Sequence, residues 1–425
     1  MTETLFGVAR EIITPPAPMR LACTGDFDSI YRDVHDEVYV RTLVLRRGEH
    51  TVVWVSFDLL FHDRALNRDI QAYAQQRHGI DPELVIVAAV HNHNAPAVES
   101  YNPGRGEPAY ESLLRERAMS SLDRAIAQLQ PGDVSLARGD IDLNVNRRVV
   151  TDEGVTMAPN HEAARDTEMT VLQVHDRSGL LRVAMVTYAC HPVFYPDRQV
   201  LTSEFPGRLC QLLEARHYGC TPMYFQGAAG DARPVATIVG DHFEPRDFGV
   251  VDAFAQDLAD RVDALLEAPS EPIELAPRGI EFTVELPLDV RDRAEFEAQA
   301  ANTALGAGHP NVTCGRIMAE HYDSQAHALP LHCSLVELAP GMVLATMGGE
   351  PCNDLKEIVR EQVGGEVWFI GYTDCCAYIV SDRMVREGGY EAYSFWSFGN
   401  LGPFSPGVDD RVRAGFGQAW QQLSR

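Results

Sequence analysis

The sequence predicts an α/β protein built from large mixed β-sheets flanked by helices. Apolar runs rich in β-branched residues alternate with amphipathic segments of helical spacing along the 425 residues. Several apolar runs also come in pairs around a short turn, so hairpins are expected beside any parallel strands. Because no repeat or long linker interrupts this alternation, we expect one domain over residues 1–425.

Turn and cap signals predict the individual elements. EVYVRTLVLRRGEHTVVWVSFDLL predicts two strands around the turn RRGEH, and RALNRDIQAYAQQRHG predicts an amphipathic helix that ends at Gly79. ELVIVAAV predicts a buried strand that ends at His91. Further along, NDLKEIVREQVG predicts a helix, LHCSLVELAPGMVLATMGGE predicts a hairpin that turns at Pro-Gly, and EVWFIGYTDCCAYIV predicts a single strand.

The charge balance limits the classes of partner. The net charge is -25, and the resulting field repels nucleic acid and anionic membranes but allows a small anionic ligand held by local arginines. No apolar run reaches the roughly 20 residues of a membrane helix, so no membrane span is expected. The opening MTETLFGVAREIITPP lacks the pattern of a signal peptide, and we expect a cytoplasmic protein. A small-molecule substrate is the expected partner, and the oligomeric state stays open.

The cysteines indicate a reduced protein. Their number is odd, nine, and none has C-x-x-C spacing, which predicts mostly buried thiols rather than a disulfide framework. The neighbours Cys375 and Cys376 either pack in the core or tune a nearby metal site.

Polar residues follow several apolar strands at the point where each strand ends. His91 and His93 follow VIVAAV, His191 follows a second strand, and Glu350 follows a third through two glycines. Residues i and i+2 share one face of a strand, so His91 and His93 share a site if the strand continues through them. The alternative is ordinary loop histidines with satisfied hydrogen bonds. Histidine and glutamate are donors that zinc takes in open catalytic sites, where it lowers the pKa of bound water to about 7.

Two further stretches carry chemistry. Arg147 and Arg148 follow a strand in NVNRR, and the alternative for them is surface charge. The stretch FQGAAGDARPV, which contains Gly230, Asp231 and Arg233, is a Gly-rich turn that lets backbone approach a ligand. It lacks the Lys-Ser/Thr ending of a P-loop and the G-x-S-x-G of a serine nucleophile.

The ordered set of motifs resembles the neutral/alkaline ceramidases and their bacterial relatives. The matching segments cover most of the chain and are GVAREIITPP, VSFDLL, HNHNAP, NVNRR, CHPVFY, FQGAAGDARP, MGGEP and GYTDCCAYIVSDRMVREGGYE. The resemblance implies the catalytic-domain fold of that family without its C-terminal domain. It also implies a zinc-dependent hydrolase of an amide (C–N) bond, with attack by metal-bound water.

Site residues carry over by position from the same resemblance. One Zn²⁺ per chain would be held by four ligands, His91, His191, Glu350 and Tyr378. His93 would act as general base and acid, and Tyr390 with Arg147 would stabilise the oxyanion.

One departure from the family bears on the substrate. The ceramidases have a serine where this chain has Arg233, beside the predicted substrate-binding Gly230 and Asp231. One interpretation is that Arg233 selects a small acylated substrate with a carboxylate or other anion. The other is that Arg233 turns outward and pairs with Asp231 or Glu204.

Two rival functions share this scaffold. A zinc-dependent ester or lactone hydrolase would use the same residues, and a non-catalytic binding protein would keep the fold alone. Amidohydrolase barrels and metallo-β-lactamases also contain His-x-His. The first would have it on the first barrel strand and the second would follow it with Asp-His, and this sequence does neither.

Overall fold

The computed structural model describes residues 3–23, 30–99, 106–306, 309–374 and 377–425. Cys375 and Cys376 lie outside these ranges. The strands are β1 Thr4–Ile12, β2 Asp33–Val34, β3 Tyr39–Arg47, β4 His50–Phe57, β5 Val85–Ala89, β6 Gln130–Asp140, β7 Asn144–Thr151, β8 Gly154–Asn160, β9 Glu168–Asp176, β10 Leu181–Tyr188, β11 Val200–Leu201, β12 Thr221–Gln226, β13 Ala232–Pro234, β14 Ile238–Val239, β15 His242–Phe243, β16 Glu271–Pro272, β17 Arg278–Pro287, β18 Ala328–Ala339, β19 Met342–Met347, β20 Glu350–Pro351, β21 Val367–Ile370 and β22 Tyr378–Ile379.

The helices lie between and after these strands. They are α1 Arg64–His78, α2 Pro108–Ala127, α3 Glu204–Arg216, α4 Phe248–Glu267, α5 Arg293–Ala300, α6 Pro310–His321, α7 Asn353–Val363, α8 Asp382–Glu387, α9 Tyr390–Tyr393, α10 Phe395–Phe398 and α11 Val408–Leu423.

The larger sheet has nine strands in the order β12-β10-β9-β6-β1-β3-β4-β5, with β16 paired to β6. The pairs β4–β5 and β10–β12 are parallel, and the other pairs along this path are antiparallel. The prediction of mixed sheets is therefore confirmed, with hairpins such as β3–β4 beside parallel strands.

The nine-stranded sheet curls until strands near its two ends meet. The Ser56 hydroxyl on β4 donates to the carbonyl of Tyr224 on β12 at 2.7 Å, and both residues are buried. This closure brings the carboxyl end of β5 next to that of β10, although the two strands are far apart in the strand order. Side chains that follow these ends therefore lie close together.

A second sheet packs against the first. It contains β17-β18-β19-β21, and its Trp368 stacks on Trp54 of β4 with ring centroids 6.1 Å apart. The Trp368 indole also donates to Thr187 Oγ1 at 2.9 Å, so the contact between the sheets is both apolar and hydrogen-bonded. Burial of two tryptophans contributes several kcal/mol to this contact.

Helices cover the outer faces of the sheets. Helices α2 and α3 pack on the larger sheet, with α1 and α4 against them, and α7 and α11 cover the smaller one. The predicted helix that ends at Gly79 is α1, capped by the Asp63 side chain at its start and by Gly79 in a left-handed conformation. The helix predicted from NDLKEIVREQVG is α7.

One predicted element was wrong. EVWFIGYTDCCAYIV forms two short strands, β21 and β22, rather than one. Tyr372 has φ 59, which no regular strand contains, and the Gly371 N–H leaves the second sheet to bond Gln226 of the first at 2.9 Å. After this turn the chain pairs with β20, so that Tyr378 lies directly opposite Glu350.

Among the residues described, none of the helices combines the length and the hydrophobicity needed to cross a bilayer.

Candidate metal centre

Three histidine side chains converge where the two parallel strand pairs meet. The Nε2 atoms of His91 and His191 are 2.9 Å apart, and the Nε2 of His93 is 3.1 Å from each of them. His91 and His191 are buried, and His93 is partly exposed. The structure therefore brings together the histidines predicted from separate strand ends, in an arrangement that could hold a metal ion.

The turn after β5 differs from the expected continuation of the strand. Strand β5 ends at Ala89, and His91 has φ 68, a left-handed conformation that costs a non-glycine residue about 1 kcal/mol or more. The Nδ1 atom of His91 lies 3.2 Å from the carbonyl of Leu60. The Nε2 atoms of His91 and His93 approach each other because of this turn, and not because of the i, i+2 geometry of a strand.

His191 is held in the same manner as His91. It follows β10, and its Nδ1 lies 3.1 Å from the carbonyl of Ala229 in the Gly-rich turn. Burial, with His91 and Arg147 nearby, holds the pKa of His191 well below its ordinary value, so the imidazole is neutral. A neutral imidazole is the form that binds metal.

The oxygen side of the centre is formed by Glu350 of β20 and Tyr378 of β22. Glu350 Oε2 lies 3.1 Å from the Nε2 of His91 and 3.6 Å from that of His191, and within the described part of the chain it has no hydrogen-bond partner. The Tyr378 ring stacks on His191 with centroids 6.5 Å apart. Burial, and Glu350 next to it, raises the pKa of Tyr378 well above its ordinary value.

These donors fit a zinc ion. A carbonyl beside Nδ1 favours the hydrogen there, so in the neutral form that binds metal Nε2 of His91 and of His191 presents a lone pair. Two lone pairs and a carboxylate oxygen then face one another across 2.9–3.6 Å in a buried space, which is unfavourable unless a cation lies between them. Tetrahedral zinc with bonds of about 2.0–2.1 Å separates its ligands by about 3.3 Å, close to these distances.

Arg147 is buried beside the centre. Its Nε donates to Glu391 Oε1 at 2.8 Å, and its guanidinium lies 5.3 Å from the Tyr378 ring and 5.6 Å from the Tyr390 ring. Its Nη2 is buried and has no hydrogen-bond partner in the described ranges. Tyr390 is about half exposed, at 52%. One donor of Arg147 is thus available to a ligand between the two tyrosines.

The Gly-rich turn fixes the position of Glu350. The Gly230 N–H bonds the carbonyl of Pro351 at 2.9 Å, and a Cβ on Gly230 would lie 2.7 Å from the carbonyl oxygen of Glu350. Both carboxylate oxygens of Asp231 accept bonds, from the Asn353 N–H at 2.9 Å and from the Asn146 amide at 3.1 Å. These contacts are structural, and the predicted role of both residues in substrate binding stays a prediction.

Arg233 forms no ion pair with either of the proposed carboxylates. Among the described residues its contacts are the carbonyl of Val193 at 3.3 Å, Met157 Sδ at 3.8 Å and the ring of Phe243 at 4.6 Å. Burial and the nearby Arg147 lower the pKa of Arg233 to about 10, which still leaves it charged at neutral pH. Its charge also contributes to a pKa of His93 well below the ordinary value, for which burial is the main cause. Arg233 is therefore a cation near His93 that has no carboxylate among these contacts.

Three residues of the site were not assigned a role from the sequence. The Tyr195 hydroxyl lies 2.6 Å from His93 Nδ1, and the Glu204 carboxylate accepts the Phe194 and Tyr195 N–H groups at 2.7 and 3.3 Å. Tyr372 packs on the His91 ring at 4.5 Å. All three have positive φ, a sign of local strain that clusters at functional sites but cannot be read from sequence.

Two solved structures that share this fold are ceramidases. The crystal structure of neutral ceramidase from Pseudomonas aeruginosa matches with TM-score 0.74 and 15% identity over 100% of this chain and 75% of that chain. A ceramidase complexed with C2 matches with TM-score 0.77 and 16% identity over 100% of this chain and 76% of that one. No family model matches the sequence. The predicted resemblance to the neutral ceramidases is confirmed for the fold.

Proposed function

We propose that the chain is a zinc-dependent hydrolase that cleaves the amide (C–N) bond of a small acylated substrate bearing an anionic group. The observation that carries the proposal is the convergence of two tautomer-fixed histidines and an unpartnered Glu350 oxygen beside two arginines. The shared fold with two ceramidases, named for hydrolysis of the amide in ceramide, supports amide cleavage over other hydrolytic reactions.

The ligand residues would be His91, His191 and Glu350, with Tyr378 as the fourth. Zinc held there would supply a Lewis acid that polarises a carbonyl and lowers the pKa of water. The ligand atoms face a shared centre. Among the described residues no hydrogen-bond donor contacts the Glu350 oxygen, as expected of an oxygen that binds a metal.

His93 would move the protons. Its Nε2, 3.1 Å from both ligand nitrogens, would take a proton from the attacking water and return it to the nitrogen of the leaving amine. The carbonyl carbon would gain the water oxygen and lose the amine, so the products are a carboxylic acid and an amine. The low pKa of His93 keeps its imidazole neutral and able to accept that proton.

Arg147 would stabilise the developing oxyanion. Glu391 fixes the guanidinium through Nε, which leaves the unpartnered Nη2 to donate. The Tyr390 hydroxyl would be a second donor from the exposed side. Donors held in place before the reaction avoid reorganisation and commonly contribute about 3–4 kcal/mol to a transition state.

Arg233 would select the anion. A partly buried cation without a carboxylate partner favours an anionic ligand, because the ligand restores a charge-assisted hydrogen bond. An acylated amino acid has such a carboxylate near its amide. Arg233 is close enough to His93 to contribute to its lowered pKa, which supports an anion bound near the scissile bond.

A matched substrate panel tests both parts of the proposal. Zinc-loaded parent and Arg233→Ser protein would be assayed on an N-acyl amino acid, on its neutral amide analogue and on the corresponding ester. We expect the parent to prefer the anionic amide, and Arg233→Ser to lose about 10- to 100-fold in kcat/KM on it alone. Arg177→Ser, a change at an exposed arginine, is the control.

The outcomes separate the parts. Equal losses on anionic and neutral amides would remove Arg233 from substrate selection. Turnover of the ester without any amide would replace the amidase with an ester hydrolase. Absence of turnover on the whole panel by zinc-loaded protein would count against the enzyme.

A further inference from the structure

The three histidines of the centre differ at Nδ1. His91 and His191 each face a backbone carbonyl there, at 3.2 and 3.1 Å. His93 instead faces the hydroxyl of Tyr195 at 2.6 Å. Their Nε2 atoms are nearly equidistant, so Nδ1 is where the roles of the three rings can be told apart.

The chemistry of these partners is not equivalent. A carbonyl only accepts, which fixes one tautomer of His91 and of His191 with a bare Nε2. A hydroxyl both donates and accepts, so it satisfies His93 in either neutral tautomer. Nε2 of His93 has a lone pair when Nδ1 donates to Tyr195, and it has a hydrogen when the hydroxyl donates to Nδ1. The two forms differ in the position of one proton and have the same net charge.

Tyr195 is held in place for this contact. Its ring meets the His93 ring edge-on at 5.3 Å, and Arg198 lies over its other side at 4.5 Å. The Glu204 carboxylate accepts the Tyr195 N–H at 3.3 Å and the preceding N–H at 2.7 Å, which supports the left-handed backbone of Tyr195 at φ 49. Such support for an unfavourable conformation indicates that the position of the hydroxyl matters.

We propose that Tyr195 is the positioning residue that orients His93 and lets it exchange tautomers, which reserves His93 for proton transfer while His91 and His191 stay fixed as ligands. The proposal rests on the proposed function for the reaction that His93 serves. Its geometric part, the dependence of the His93 tautomer on the Tyr195 hydroxyl, stands apart from any substrate.

The test uses Tyr195→Phe, which removes one oxygen, with Tyr110→Phe as the matched control. Tyr110 is buried, and its hydroxyl has no hydrogen-bond partner among the residues that the structure describes. Three quantities would be measured on full-length protein at one pH: zinc content, the ¹⁵N shifts of the His93 ring, and kcat with KM. The His93 signals would be assigned by their loss in His93→Gln.

We expect Tyr195→Phe to keep its zinc and its KM, to lose about 10- to 100-fold in kcat, and to show shifted His93 ring nitrogens. Tyr110→Phe should match the parent in all three. Unchanged His93 shifts with unchanged kcat in Tyr195→Phe would overturn the proposal, and so would loss of zinc, because His93 would then be held as a ligand.

The readouts also separate this proposal from the proposed function. If the parent cleaves nothing on the panel but the His93 shifts still move in Tyr195→Phe, positioning by Tyr195 stands and the hydrolase fails. If the parent is an amidase and Tyr195→Phe retains full kcat, the hydrolase stands and the proposal for Tyr195 fails.

Discussion

The histidine side and the oxygen side of the centre are held in different ways. On the histidine side, backbone carbonyls of Leu60 and Ala229 fix the rings of His91 and His191. On the oxygen side, Glu350 Oε2 and the Tyr372 hydroxyl are buried without hydrogen-bond partners among the described residues. The fold thus completes one half of the centre by itself and leaves the other half to a bound cation or substrate.

The difference shows which part of the centre lowers the stability of the metal-free folded state. A buried polar atom without a partner costs about 1–3 kcal/mol, and the oxygen side contains two such atoms. The histidine side has one strained backbone position, His91, and the Nδ1 atoms of both ligand rings face backbone carbonyls, while their Nε2 atoms are left for the metal. Removal of an unpartnered oxygen atom should therefore stabilise the protein when stability is measured without metal.

The largest expected effect is loss of metal from the histidine side. His91→Ala or His191→Ala removes one ligand. We expect the parent to contain about one zinc per chain and each variant to bind zinc about 100-fold more weakly, or weaker still. Elemental mass spectrometry on folded protein measures the content. His242→Ala, at an exposed histidine outside the cluster, should keep its zinc. Full zinc in both ligand variants would show that the rings do not bind it.

The next effect concerns Glu204, the unsatisfied carboxyl behind the histidine side. Its Oε2 has no partner, and burial raises its pKa to about 7 from 4.5. The folded state therefore favours the protonated form of Glu204. The contribution of this residue to stability is complete below about pH 4.5 and is lost as pH rises through 7. The free energy of unfolding of Glu204→Gln should rise relative to that of the parent between pH 5 and 8, by up to about 3 kcal/mol.

Urea unfolding at each pH measures that gain. Glu153→Gln, at an exposed carboxylate, should show no such trend with pH. A constant difference between Glu204→Gln and the parent from pH 5 to 8 would mean that Glu204 ionises normally in the folded protein.

The smallest expected effect is a gain in stability, whereas most core substitutions cause a loss. Tyr372→Phe removes a buried hydroxyl without a partner, so the metal-free protein should gain about 1 kcal/mol in free energy of unfolding. Tyr188→Phe is the matched contrast, because its hydroxyl donates to the carbonyl of Ile141 at 2.7 Å, and it should lose about 1 kcal/mol. A loss in Tyr372→Phe of the same size would erase the distinction between the two sides.

Sequence patterns predicted what depends on local periodicity. Helices α1 and α7 and the hairpin β18–β19 follow from apolar spacing and turn residues. The positions of His91, His191 and Glu350 at strand ends are also visible in the sequence, because a polar residue after an apolar run marks the edge of a sheet. Their convergence was expected by resemblance, and the curl of the larger sheet accounts for it.

The parts that could not be predicted depend on contacts between distant segments. The break after β21 follows from a hydrogen bond between Gly371 and Gln226 of the other sheet. Tyr195 reaches His93 over 102 residues of sequence, and no periodic pattern encodes that contact. The contacts of Arg233 with Met157 and Val193 likewise join segments 76 and 40 residues apart.

The spread of the site along the chain has a consequence for folding kinetics. His91 and His191 are 100 residues apart, Arg147 and Glu391 are 244 apart, and the Asn67 amide bonds the carbonyl of Thr373 over 306. Contacts of such high sequence separation close late, after most loop entropy has been lost. A metal ion would then meet its complete set of donors only near the end of folding. Zinc should slow unfolding of the finished protein and leave the rate of folding nearly unchanged.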